Sequence, residues 1–305
     1  MRFSKWHGIG NDFLIVTEED LGTARGGGSA YVGEWLEDRR PRIEDDAVIA
    51  VTDRNFGVGA DGILVLGPPT VDDADARMLI HNADGSMAQM CGNGIRVAAR
   101  FLVERGIVTP GADGSFGIET AGGVMRPTVL EDGRVRVDMG DLTTEGIAEI
   151  DLGSVDGDLA GRALTGRIVS VGNPHFVVRH EPQGPDLHRV GPAAEHHARF
   201  PDRSNIEFYE VDDEAAGIVR MRVWERGVGE TLACGTGACA VAFTARADAG
   251  LGDTITVRLP GGELEIEFEG DRAFMTGAAH EAWNGELDFS RLVAGLPASR
   301  RSVHS

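Results

Sequence analysis

Two cysteine segments in this 305-residue chain combine residue types that suit proton transfer. They read CGNGIRVAA (residues 91–99) and CGTGACAVA (residues 234–242). In each, two glycines follow the thiol at the same offsets and a helix-forming run comes next. A helix N-terminus favours the thiolate, because its unpaired N–H groups and positive dipole end stabilise the anion. We therefore expect Cys91 and Cys234 at helix starts, facing each other, with one removing a proton and the other returning one.

The glycines after each thiol have a role in the same chemistry. A backbone without Cβ atoms lets a ligand approach closely, and N–H groups at a helix start can hold a carboxylate. Such donors would stabilise the negative charge that develops when a neighbouring α-proton leaves.

Other interpretations of the cysteines remain open at this point. A single cysteine is ordinarily a small buried apolar residue, and Cys239, inside an apolar run, fits that description. The matched contexts of Cys91 and Cys234 argue against it for them. A structural disulfide between the two is disfavoured in a reducing cytosol.

Composition excludes several function classes. The net charge of −20 argues against nucleic acid or an anionic membrane as partner. Lys5 is the only lysine, which makes a pyridoxal cofactor improbable. There is no CxxC or HExxH motif, no apolar run of membrane-spanning length and no signal peptide, so we expect a soluble cytoplasmic protein without metal or cofactor.

The chain repeats itself in two halves. After each cysteine run come a glycine pair and a hairpin, and a Gly-Asn pair precedes an apolar strand at residues 10–16 and 172–178. The pattern predicts an α/β (α+β) fold of two pseudo-symmetric lobes, each a curved, mostly antiparallel sheet around a central helix. The predicted lobes are residues 1–133, joined by a strand at about 280–295, and residues 134–279. A frayed tail is expected at 296–305, and an irregular loop at 18–46 with one helical turn near 31–36.

Three further motifs have ordinary explanations. GVGADG (residues 57–62) matches the dinucleotide fingerprint, but a strand rather than the required helix is predicted to follow it. HNADGS (residues 81–86) reads as a turn. Glu225-Arg226 is either a solvated pair or a site that binds a zwitterion, with arginine on the carboxylate and glutamate on the ammonium group.

Together these segments resemble the diaminopimelate epimerase family. The matching motifs, in order, are FSKWHGIGNDF (residues 3–13), NADGS (82–86), MCGNG (90–94), GNPH (172–175) and ERGVGETLACGTG (225–237). The resemblance implies a cofactor-independent isomerase that interconverts LL- and meso-diaminopimelate for lysine and peptidoglycan synthesis. It also implies a site in the cleft between two lobes.

By this resemblance, Cys91 and Cys234 are the acid and base, and His175 and Glu225 set their protonation. The substrate-binding residues that it implies are Asn11, Asn82, Gly92, Asn93, Asn173, Asn205, Glu225, Arg226, Gly235 and Thr236. Gly62 stands where some relatives have glutamine. A homodimer is the expected assembly, although nothing in the sequence determines it.

Two alternative functions are considered: a racemase that acts on another amino acid, and a protein without catalytic activity. Proline and hydroxyproline racemases share the paired cysteines, but they have histidine where Asn93 stands and lack the Glu225-Arg226 context. A non-catalytic thiol switch would have unreactive thiols and no exchange at the substrate α-carbon.

Overall fold

The computed structural model describes residues 1–21, 32–34, 41–154, 161–180 and 187–297. These residues form two units. Unit 1 comprises the described residues of Met1–Val135 and Ala278–Ser305, and unit 2 comprises those of Arg136–Gly277. The predicted tail lies largely outside the described residues.

Unit 1 is built on one main sheet with helices packed against it; β3 and β4 form a separate two-stranded sheet, and β10 lies outside the main sheet. Its strands are β1 (Arg2–Gly8), β2 (Asn11–Thr17), β3 (Val32–Glu34), β4 (Pro41–Ile43), β5 (Gly62–Gly67), β6 (Ala76–Asn82), β7 (Met87–Ala88), β8 (Ile118–Thr120), β9 (Gly123–Met125), β10 (Thr128–Val129) and β21 (His280–Glu286). Its helices are α1 (Asp45–Thr52), α2 (Gly92–Glu104) and α5 (Phe289–Gly295). The sheet order is β21-β1-β2-β5-β6-β8-β9, with β7 beside β6.

Strand β5 shows why this sheet is covered on both sides. It is an apolar run without alternation, as expected of a strand buried on both faces. Ile63 and Val65 pack with α1 and α5, whereas Leu64 approaches Gly94 at the start of α2. The strand also follows the GVGADG turn directly, as predicted, so the dinucleotide-binding arrangement is absent there.

Unit 2 is a second sheet. Its strands are β11 (Val135–Asp141), β12 (Thr143–Asp151), β13 (Ala163–Ser170), β14 (Pro174–Arg179), β15 (Asn205–Asp213), β16 (Ile218–Glu225), β17 (Gly229–Glu230), β18 (Thr254–Leu259), β19 (Gly262–Glu269) and β20 (Arg272–Gly277). Its helices are a 3₁₀ turn (Leu152–Ser154), α3 (Leu187–Glu195) and α4 (Gly235–Ala249). From β11 the order runs β11-β20-β19-β18-β16-β15-β14-β13-β12, with β17 beside β16.

Helix α4 is the central element of unit 2. It contacts strands β13 to β16 and β18 to β20, so most of the sheet surrounds it. Its buried residues lie on nearly all sides, which matches its small, apolar sequence. On the other face of the sheet, Phe176, Ile206 and Phe208 pack with the buried residues of α3.

The predicted fold class is confirmed: two lobes, each with a mostly antiparallel sheet and a cysteine-headed helix. One local prediction is wrong. Within the predicted helical turn at 31–36, the described residues Val32–Glu34 form strand β3, which pairs with Pro41–Ile43 in a hairpin. Cross-strand pairing there outweighs local propensity. Residues 31, 35 and 36 lie outside the described residues.

Candidate active site

Cys91 is the N-cap of α2, as predicted. Its backbone is extended (φ −147°, ψ 114°), and its Sγ accepts a hydrogen bond from the Gly94 N–H at 3.3 Å. The residue is half-buried. A Cβ on Gly94 would lie 3.3 Å from the Cβ of Cys91 and 3.5 Å from Leu64, so the glycine leaves room for the thiol at this cap.

Amide side chains surround this end of unit 1. The buried Asn93 donates from Nδ2 to Asn11 Oδ1 at 3.0 Å. Asn11 in turn donates from Nδ2 to Asp61 Oδ2 at 2.7 Å. Asn82 pairs across the sheet with Gly62, next to Asp61, and its amide donates to Ser86 Oγ at 3.0 Å. Unit 1 thus brings Asn11, Asn93 and Cys91 to one helix start.

Cys234 caps α4 in the same way. Its backbone is extended (φ −130°, ψ 109°), and its Sγ accepts from the Gly237 N–H at 3.4 Å. The hydroxyl oxygen of Thr236 lies 3.6 Å from the same sulfur atom. Unlike Cys91, this residue is buried, with 5% of its surface exposed.

The surroundings of Cys234 favour the neutral thiol over the thiolate. Burial raises its pKa well above the usual value, and the carboxylates of Glu225 and Glu207 raise it further. The Gly237 N–H and the Thr236 hydroxyl lower the pKa, as a helix start should, but they are outweighed. The expected lowering of this pKa by the helix N-terminus is therefore real but is not the dominant effect.

Glu225 ends strand β16 beside this thiol. Burial of its carboxyl group, followed by the nearby charge of Glu207, raises its pKa, while a hydrogen bond from the Thr231 hydroxyl lowers it. The Cys234 thiol also lowers the pKa of this carboxyl, and the carboxylate in turn raises the pKa of the thiol. Glu225 is thus placed to exchange or influence a proton at this sulfur atom.

His175 lies on β14, wholly buried, behind the same helix start. Its Nδ1 is 2.6 Å from Glu207 Oε1, and its Nε2 is 3.0 Å from Asn173 Oδ1. Asn173 then donates from Nδ2 to Thr236 Oγ1 at 3.5 Å. A chain of polar contacts through Asn173 and Thr236 thus links the imidazole to the thiol.

Asn205 and Arg226 complete the group in unit 2. Asn205 donates to the Pro174 carbonyl at 3.0 Å and accepts from the Arg226 backbone N–H at 3.0 Å. The exposed guanidinium of Arg226 donates to the Asp202 carbonyl at 3.1 Å. A cavity of about 760 Å³ borders Asn173, Asp202 and Arg226, which leaves this guanidinium accessible to a ligand.

The sequence-predicted residues fall into two clusters, one in each unit, and each cluster holds one cysteine. Sequence reasoning missed Glu207, Asp61 and Thr231. A signal for Glu207 exists: it is a charged residue in an apolar strand, two positions after Asn205 and hence on the same face. Asp61 and Thr231 have no comparable signal, because their roles come from hydrogen bonds to Asn11 and Glu225.

Two observations concern cofactors and membranes. Within the described ranges, no three His, Cys, Asp or Glu side chains are grouped so that they could hold a metal ion. In the same part of the chain, no helix is long and apolar enough to cross a membrane.

Sequence comparison identifies a family over most of the chain. Residues 3–145 and 167–281 match the family model described as diaminopimelate epimerase. A diaminopimelate epimerase of Synechococcus sp. (strain JA-2-3B'a(2-13)) is 41% identical, over 93% of this chain and 97% of the relative. A chloroplastic diaminopimelate epimerase of Oryza sativa subsp. japonica is 39% identical, over 93% of this chain and 79% of the relative.

Solved structures share the fold at low identity. A probable proline racemase from Agrobacterium radiobacter K84 superposes with a TM-score of 0.65 at 18% identity, covering 94% of this chain and 92% of the other. A phenazine biosynthesis protein of the PhzF family from Bacillus anthracis has a TM-score of 0.62 at 16% identity, covering 94% and 98%.

Proposed function

The chain belongs to the diaminopimelate epimerase family and is an isomerase, and we propose that Cys91 and Cys234 carry its reaction as base and acid. The observation that supports these roles most strongly is the matched geometry of the two thiols. Each caps a helix start and accepts a hydrogen bond from the N–H three residues later. No other cysteine has this setting, since Cys239 lies inside α4.

The raised pKa of Cys234 suggests a direction for the proton transfer. Cys234 enters the reaction as a thiol and donates its proton to the α-carbon, while the thiolate of Cys91 removes the original proton. Afterwards Cys91 is a thiol and Cys234 a thiolate, and the configuration is inverted. Glu225, beside Cys234, helps to restore the starting protonation states. The opposite isomer uses the two residues in exchanged roles.

The helix starts supply binding groups as well as thiols. The N–H groups and side chains at Gly92, Asn93, Gly235 and Thr236 hold the carboxylate at the reacting carbon and stabilise the charge that develops there. Asn11, Asn82, Asn173, Asn205, Glu225 and Arg226 bind the remainder of diaminopimelate. Among them, Arg226 takes the distal carboxylate, because its guanidinium is exposed at the edge of the cavity.

Incubation with LL-diaminopimelate in D₂O, without added cofactor, tests the activity and the mechanism together. Chiral separation and mass analysis should detect the meso isomer carrying one deuterium at the inverted α-carbon. Reduced, folded protein that leaves both the configuration and the α-proton unchanged would contradict the proposal. Proline would then be the next substrate to test, as the racemase alternative requires.

The cytoplasmic location and the homodimer remain predictions. Light scattering of the purified protein measures its mass directly. A mass near that of the 32.4 kDa chain, instead of twice that value, would contradict the homodimer.

A further inference from the structure

Glu207 is an ionisable side chain wholly buried within strand β15. Ile206 and Phe208 on either side of it pack into the apolar cluster around α3, so Glu207 points to the opposite, α4-facing side of the sheet. A buried carboxylate is unfavourable unless it is paired and hydrogen-bonded. Its partner here is His175, at 2.6 Å. Its second oxygen, Oε2, has no hydrogen-bond partner within the described part of the chain.

The carboxylate lies directly against the start of α4. A Cβ on Gly237 would be 2.9 Å from Glu207 Oε1 and 3.2 Å from Cys234 Sγ. The chain therefore has glycine where the thiol, the helix and the carboxylate meet. A negative charge at a helix N-terminus is stabilised by the helix dipole, which explains how the fold tolerates Glu207 there.

A chain of hydrogen bonds leads from Glu207 back to the thiol. Asn173 donates from Nδ2 to Thr236, so its Oδ1 is left to accept a hydrogen bond from His175 Nε2. The imidazole thus lies between two partners, with Nδ1 at 2.6 Å from Glu207 Oε1 and Nε2 at 3.0 Å from Asn173 Oδ1, so the carboxylate fixes the orientation of the ring. Thr236, the last member, has its hydroxyl 3.6 Å from Cys234 Sγ.

We propose that Glu207 is a positioning residue for this reaction, holding His175 and, through Asn173 and Thr236, orienting the groups that face Cys234. This role depends on the proposed function of Cys234 as an acid or base. Without the carboxylate, His175 loses the hydrogen-bond partner of its Nδ1, and the contact of its Nε2 with Asn173 is weakened. Asn173 and Thr236 are then free to rotate away from the sulfur atom.

Several groups face Cys234, and Glu207 contributes to their total charge. They are Glu225 on β16, Glu207 on β15, and the Thr236 hydroxyl and Gly237 N–H on α4. His175 on β14 lies behind them, next to Glu207 and close enough to Glu225 to affect its pKa. Burial, then Glu225, then Glu207 raise the pKa of the thiol. Removal of the Glu207 charge should therefore lower that pKa. A packing defect that exposes the thiol to water would lower it too, and Glu207→Asp, which shortens the side chain but keeps the charge, separates the two causes.

The test compares Glu207→Gln and Glu207→Asp with a matched control, Glu210→Gln. Glu210 is on the same strand but half-buried, and it pairs with Arg220. Alkylation of Cys234 by iodoacetamide is followed by peptide mass analysis across a pH series. In parallel, kcat and KM are measured with LL-diaminopimelate over pH.

For Glu207→Gln we expect the alkylation midpoint of Cys234 to move to lower pH. We also expect kcat to fall by about tenfold to a hundredfold, the range for partners that orient metal-bound histidines. Glu207→Asp keeps the charge, so its midpoint should stay near wild type and its kcat should exceed that of the glutamine variant. Glu210→Gln should match the wild type.

A Glu207→Gln protein with the wild-type alkylation midpoint, kcat and pH profile would overturn the proposal. If Glu207→Gln does not fold, Glu207→Asp tests the proposal instead. Its shorter side chain should hold His175 less well, so a full wild-type kcat in this variant would contradict a positioning role for Glu207. The alkylation series does not need turnover. A wild-type protein that fails to epimerise diaminopimelate would therefore refute the proposed function without hiding the effect of Glu207 on the thiol.

Discussion

The start of helix α2 and the start of helix α4 share one capping geometry but have different surroundings. Both have an extended cysteine whose Sγ accepts a hydrogen bond from the N–H three residues later. The start of α2 carries the amides of Asn93 and Asn11, which are hydrogen-bonded to each other, and the buried Arg96, which donates to the Gly92 carbonyl. Around Cys234 the neighbours are the carboxylates of Glu225 and Glu207, the second of which pairs with His175, and the thiol is buried.

This difference shows how a repeated motif can supply two unlike chemical groups. The helix cap is set by local sequence, so it is the same in both units. The protonation of the thiol depends on what the neighbouring strands bring to it, and at Cys234 strands β16 and β15 bring the carboxylates of Glu225 and Glu207. Under the mechanism that we propose, an acid and a base thus arise from one repeated element.

The most severe way to test the comparison is to remove each thiol in turn. Cys91→Ser and Cys234→Ser should each lower kcat by about 10²–10⁴-fold, because a hydroxyl is a far weaker base at neutral pH. Epimerisation of LL-diaminopimelate measures the effect. Cys239→Ala is the control and should keep turnover near wild type, since Cys239 is a packing residue inside α4. Near-normal turnover in either serine variant would disprove the two-thiol mechanism.

A second test compares the reactivity of the two thiols in the native protein. At pH 7 iodoacetamide should modify Cys91 before Cys234, because Cys234 is buried and its pKa is raised. Glu225→Gln removes a negative neighbour, so the pKa of Cys234 should fall and its alkylation at fixed pH should accelerate, by about tenfold for each pKa unit. Glu230→Gln, at a carboxylate that pairs with Arg222, is the control. Slower modification of Cys234 in Glu225→Gln would show that Glu225 does not raise the pKa of this thiol.

A third test uses the glycines inside the two caps. Gly237→Ala puts a Cβ 2.9 Å from Glu207 Oε1 and 3.2 Å from Cys234 Sγ, so we expect it to lower the free energy of unfolding by about 1–3 kcal/mol. Gly94→Ala meets atoms only at 3.3 Å and beyond, and alanine favours a helix by about 0.5–1 kcal/mol over glycine. It should therefore stay within about 1 kcal/mol of wild type. Urea unfolding of both variants measures their free energies of unfolding. Equal decreases in the two variants would argue against closer packing around Gly237 than around Gly94.

The smallest expected effect is on substrate binding, and it comes from changing Asp61, which holds Asn11. Asn205 is held by backbone groups, whereas Asn11 is held by the side chains of Asp61 and Asn93. Asp61→Ala should therefore raise KM for diaminopimelate by about twofold to tenfold, the equivalent of one hydrogen bond, with little change in kcat. Asp61→Asn keeps an acceptor and should recover part of the loss. An unchanged KM in Asp61→Ala would show that Asn11 needs no such support.

Much of the fold could be predicted because its signals are local. The alternation of Leu264-Glu265-Ile266 specifies a strand with one buried face, and Gly106 ends α2 with a positive φ of 64°. The helical turn predicted near residues 31–36 is wrong over Val32–Glu34. Its pairing partner lies several residues later, beyond the reach of a local pattern.

The sequence alone determined the two capped cysteines, the repeat that contains them and the family that they indicate, because these depend on residues adjacent in the chain. Only the tertiary structure showed that Glu207 and His175 meet behind Cys234. They are 32 positions apart, and they meet because β14 and β15 run parallel, side by side. The raised pKa of that thiol comes from burial and from carboxylates on separate strands, so the difference between the two cysteines is a property of the packed sheet.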